Sequence, residues 1–88
     1  MNADQASKLI VNPYMTEKTL ALIEKENKLV FIVHDDADKN GIKEAIKVLY
    51  NVDVDTVNTA RAIYGKKAFV RMKEVDAARD LATKLGLV

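Results

Sequence analysis

Cysteine and tryptophan are absent from the 88 residues, and histidine, serine and proline occur once each. Without cysteine there is no disulfide, thiolate metal site or cysteine nucleophile, as expected of a chain working in a reducing compartment. Ser7 falls in the polar stretch 1–7, which reads as a frayed terminus. A serine–histidine–acid site therefore finds no support. His34, at the end of an apolar run, reads as a solvated or hydrogen-bonded residue rather than a ligand. The three glycines, Gly41, Gly65 and Gly86, are too far apart to form a phosphate loop. The longest apolar run, Leu29 to Val33, is far too short to span a membrane, and no apolar leader opens the chain. The expectation is one cytoplasmic domain, 1–88, that is not an enzyme and uses no cofactor, metal, small-molecule substrate or membrane insertion.

Charge is scarce in the sum and uneven in its placement. The net value is +1, from 14 basic and 13 acidic residues. Between Thr56 and Lys73 the basic residues are Arg61, Lys66, Lys67, Arg71 and Lys73, with no acid among them. That window carries +5, and the remainder carries −4. Such asymmetry in a short chain points to a surface that faces a polyanion.

Apolar spacing gives the elements. Lys8 to Asn12 holds Leu9-Ile10-Val11 and predicts a short strand ended by Pro13. Thr16 is placed as an N-cap with Glu17 in the first turn, where a carboxylate favours the helix dipole. Leu20 and Ile23 continue that helix, and Asn27 suits a left-handed stop. Lys28 to His34 is apolar on both faces, which predicts a central strand covered on both sides. Ile42, Ala45, Ile46 and Leu49 follow helical spacing, with Asp38 as cap and Asn51 as stop. A strand over Asp53 to Ala60 breaks its alternation between Val54 and Val57, as a bulge would. A short turn holding Gly65 leads to Lys67–Met72, where Ala68, Val70 and Met72 share one face. A last helix, Val75 to Leu85, buries Ala78, Leu81, Ala82 and Leu85 and stops at Gly86. The order β-α-β-α-β-β-α predicts an α+β fold, with helices packed on an antiparallel or mixed four-stranded sheet.

Two motifs need separating from their look-alikes. Asp36 to Gly41 matches the opening of a calcium loop, but Lys47 stands where the closing bidentate glutamate must be. A polar turn with a capping aspartate is the better reading. Gly65 to Met72 matches the central Ala-Phe-Val of an RNA-recognition-motif strand. Lys67 and Met72 replace its outer stacking aromatics, and Phe69 equally fits a core position. A free single-stranded-RNA-binding module of that type remains the alternative function.

Four motifs in order resemble one family. Pro13-Tyr14-Met15-Thr16-Glu17-Lys18 resembles the P-x-x-[ST]-E-K opening of the large-subunit ribosomal protein L23 family. Asn27-Lys28-Leu29-Val30-Phe31 resembles its next strand. Ile42 to Ile46, Tyr50 to Val54 and Val57-Asn58-Thr59 resemble its central helix and third strand, and Lys66 to Arg71 its fourth. The short segment Arg61 to Lys66 between the last strands, and the lack of a basic N-terminal extension, are similar to archaeal members. The resemblance implies binding to large-subunit rRNA beside the polypeptide tunnel exit, among neighbouring ribosomal proteins. It also implies a surface for nascent-chain factors such as signal recognition particle. It places Thr16, Lys18, Asn58, Thr59, Arg61, Lys66, Lys67 and Arg71 against rRNA and Glu17 toward docking factors. Independently, the basic residues suit phosphates, and Asn58 and Thr59 suit phosphate or 2′-hydroxyl groups.

Overall fold

The computed structural model describes residues 1–63 and 65–87. An N-terminal helix, α1 (Ala3–Leu9), precedes β1 (Ile10–Pro13), α2 (Glu17–Glu26) and β2 (Lys28–Val33). Then follow α3 (Lys39–Tyr50), β3 (Val54–Ala62), β4 (Gly65–Met72) and α4 (Ala77–Lys84). The chain is α+β as expected, with one helix more than the sequence predicted.

That helix corrects the reading of 1–7 as frayed. The Asn2 side chain accepts from Gln5 N at 2.9 Å, and Gln5 Oε1 accepts from Asn2 N at 3.1 Å, so a reciprocal cap opens α1. Ala6 is fully buried and Leu9 packs on the core. The terminal amine of Met1 pairs with Glu44 of α3 at 3.1 Å. Because α1 runs to Leu9, β1 starts at Ile10 rather than Lys8 and includes Pro13. A proline is tolerated there because β1 is an edge strand.

The sheet is antiparallel throughout, in the order β1-β2-β4-β3. β2 is internal, as its two apolar faces predicted. Leu29, Phe31 and Val33 of β2 join Ala68, Val70 and Met72 of β4 and Val57 of β3 in the core. α3 covers this inner face: Ile42, Ala45 and Ile46 are fully buried, and the rings of Phe31 and Tyr50 stack at 6.0 Å. Burial at this stack pushes the Tyr50 phenol above its ordinary pKa. The register shifts between Val54 and Thr56, where the broken alternation predicted an irregularity. α4 begins at Ala77, later than Val75, because Asp76 adopts a left-handed φ of 61°.

Asn27 joins four elements. It is left-handed, at φ 56°, and its N–H donates to Leu22 O at the end of α2. Its carbonyl accepts from Met72 N at 2.9 Å. Its side-chain amide donates to Met72 O at 3.2 Å and Glu74 O at 2.6 Å, while Oδ1 accepts from Ala78 N at 2.9 Å. Asp76 supplies no side-chain cap to α4, so Asn27 does it from 51 residues away.

Each such bond contributes about 1 kcal/mol net, and a left-handed conformation costs a Cβ-bearing residue roughly 1–2 kcal/mol. Asn27→Gly removes the three side-chain bonds and relieves part of the left-handed cost, so it should cost about 1–2 kcal/mol net in urea unfolding. Asn27→Ala should cost about 1 kcal/mol more. A glycine variant as stable as the wild type would show that the three side-chain bonds contribute no more than the strain that glycine relieves.

Candidate nucleic-acid interface

The two-residue period of β4 sorts the basic window onto two sides of the sheet. Lys66, Ala68, Val70 and Met72 point to the inner face, while Lys67, Phe69 and Arg71 point to the outer one. Strand register extends the sorting to β3. Thr59 pairs with Ala68 and Arg61 with Lys66 on the inner side. Asn58 pairs with Phe69 and Thr56 with Arg71 on the outer side. The hairpin is tighter than expected: Ala62 pairs with Gly65 at φ 138°, so Arg61 and Lys66 are laddered rather than on a turn. Tyr64, within the expected turn, lies outside the described residues.

The two inner-side cations are held differently. Lys66 Nζ donates to the Ala37 carbonyl at 2.7 Å, just before α3. Arg61 approaches Asp35 at 4.0 Å with both side chains largely exposed, a contact of little energetic consequence. Thr59 is half-buried.

The outer side brings the remaining candidates together. Thr16, Glu17 and Lys18 at the start of α2 line one open groove with Lys67. Tyr14, Thr19, Leu22, Val30 and Phe69 complete its walls. The Lys67 ammonium sits 4.5 Å from the centre of the Tyr14 ring, a cation–π contact that holds it over the groove. Thr16 caps α2 as expected: its hydroxyl accepts from Thr19 N at 3.2 Å, and Thr16 N donates to Thr19 Oγ1 at 2.7 Å. Lys18, Asn58 and Arg71 are exposed. Arg71 lines a second groove that also holds Glu24, Glu26, Asp55 and Lys73, and it forms no ion pair among the described residues. Glu17 is exposed in the first turn of α2 and also borders an apolar patch of Met15, Leu20 and Leu87.

Sequence reasoning missed Tyr14 as the seat of Lys67, and it weighed Phe69 as core when the ring is only half-buried, on the outer face. The signal for Phe69 was available: it alternates with Ala68 and Val70, whose inward face was recognised. Nothing local marks Tyr14, which depends on the pairing of Tyr14 N with Val30 O at 2.9 Å. Among the described residues, no group of three or more histidines, acids or cysteines could hold a metal ion.

A family model described as ribosomal protein L23 matches residues 8–84. The large ribosomal subunit protein uL23 of Methanococcus vannielii is 46% identical over 80 residues, which cover 90% of this chain and 93% of the relative. The protein of the same name from Methanobrevibacter smithii is 41% identical over 80 residues, with the same coverage.

Proposed function

Since this chain belongs to the ribosomal protein L23 family, we propose that it binds large-subunit rRNA near the polypeptide tunnel exit through the outer face of its sheet. It is a structural, non-enzymatic protein of the large subunit, in the cytoplasmic ribosome of an archaeal cell. The observation that carries the binding reading is the acid-free stretch from Thr56 to Lys73: β3 and β4 hold four cations there, Lys73 follows directly as a fifth, and no acid falls among them. Thr16, Lys18, Asn58, Lys67 and Arg71 share the outer side and form the body of the contact. Thr59 and Arg61 border it from the inner side, and Lys66 braces the hairpin through Ala37.

Affinity for a phosphate backbone comes mainly from counterion release, which makes it steeply salt-dependent. With Lys66 turned to the Ala37 carbonyl, Lys18, Arg61, Lys67, Arg71 and Lys73 supply the positive charge offered to phosphates. For about five phosphates, log K should fall with log salt at a slope of roughly −3.5 to −4.5. Titration of the free protein against large-subunit rRNA at several salt concentrations measures this. A flat dependence would remove the phosphate reading.

The exposed Glu17, beside the apolar patch of Met15, Leu20 and Leu87, serves as a docking point for nascent-chain factors such as signal recognition particle. Its carboxylate steers more than it binds. Ribosomes carrying Glu17→Ala should assemble normally and bind the factor less well, with the larger deficit at low salt. Unchanged factor binding together with a small loss of protein stability would make Glu17 a helix-dipole residue only.

A further inference from the structure

The half of the outer face formed by β4 and β3 is left open. α2 packs on β2 and lines grooves with β4, Leu22 beside Lys67 and Phe69, and Glu24 and Glu26 beside Arg71. Phe69 lies half-buried at the margin of this open half-sheet. Three side chains cross the sheet in one row: Val30, Phe69 and Asn58. Val30 is buried and supports the ring from one side, while Asn58 is exposed on the other. Along β4, Lys67 and Arg71 bracket Phe69 two residues away in each direction on the same face. Ala60, opposite Lys67, is small and exposed, so nothing bulky closes that flank.

We propose that this row holds one unstacked nucleotide of the rRNA. Its base lies on Phe69, the Asn58 amide bonds to the base edge, and Lys67 and Arg71 take the phosphates on either side. The proposal rests on the rRNA-binding reading and sharpens it, because it requires part of the bound RNA to be single-stranded. An aromatic face on an open sheet can stack on any base, while bases inside an A-form duplex are out of reach of such a surface. The asparagine amide offers one acceptor and two donors, matching the mixed edge of a free base. The Cα atoms of Lys67 and Arg71 are about 13 Å apart along the strand, and their flexible side chains reach the backbone on both sides of one nucleotide. Lys67 and Arg71 on both sides of the ring, on a strand that carries no acid, favour a polyanion over an apolar peptide in this place; the acids of the neighbouring grooves, Glu17 beside Lys67 and Glu24, Glu26 and Asp55 beside Arg71, belong to α2 and the start of β3.

Two variants test the inference, with a short oligouridylate and an RNA duplex of the same length as probes. The chain has no tryptophan, so Phe69→Trp places a single indole at the stacking position. Its emission should be quenched as the oligouridylate binds and change little with duplex. Phe69→Leu keeps apolar volume and removes the π face. It should bind the single strand about 10-fold more weakly, with duplex binding and urea midpoint close to wild type. Unchanged indole emission at saturating oligouridylate, or an undiminished single-strand affinity in Phe69→Leu, would overturn the proposal. If Phe69→Leu fails to fold, the indole response decides alone. Failure of the rRNA-binding reading would look different: the wild type would bind neither RNA at low salt.

Discussion

The register between β2 and β4 is the constraint on which the outer surface depends, and Asn27 pins it. Lys28 pairs with Arg71 and Leu29 with Val70 directly beside the bonds that tie Asn27 to Met72 and Glu74. Side chains alternate across a sheet, so a slip of one residue would move every β4 side chain to the other face. Lys67, Phe69 and Arg71 would then face α3, and Ala68, Val70 and Met72 would face solvent. Burying Val70 and Met72 contributes about 1.5–3 kcal/mol each, which opposes the slip from the inside. The left-handed turn at Asn27 opposes it from the end, by joining the stop of α2, the start of β2 and the cap of α4.

With that register set, charge divides according to the layers. The inner face is covered by α1 and α3 and leaves room for one lysine, Lys66, whose ammonium satisfies the Ala37 carbonyl next to the Asp38 cap. The outer face is covered only beside β2. There the half-buried aromatics Tyr14 and Phe69 lie among cations, an arrangement that suits a stacked, charged ligand better than water does. In a protein of the large ribosomal subunit the partner that supplies both bases and phosphates is rRNA.

Much of this is legible along the chain. Seven of the eight elements, the caps Thr16 and Asp38, and the stops Asn27, Asn51 and Gly86 follow from local chemistry. So does the irregularity near Val54. α1 is the exception: its Asn2–Gln5 cap is a local signal, but Ala3–Leu9 is short and polar, and it is held by Ala6 and Leu9 packing on distant residues and by the Met1–Glu44 pair. The basic window marks the right hairpin but cannot divide it. Lys66 and Lys67 are adjacent in sequence, yet one braces the protein and the other lines a groove. Only the register separates them. The remote work of the Asn27 side chain is equally invisible, since Ala78 and Glu74 lie about fifty residues away.

If the outer face of the sheet is the RNA-facing side, its lysines are shielded when the protein sits in the subunit. Lysine labelling followed by mass spectrometry, on the free protein and on large subunits containing it, measures that shielding. Lys18 and Lys67 should lose reactivity on going from the free protein to the subunit, whereas Lys66, whose Nζ donates to the Ala37 carbonyl, should change less between the two. Lys18 and Lys67 labelled as readily in the subunit as in the free chain would place the RNA on another face.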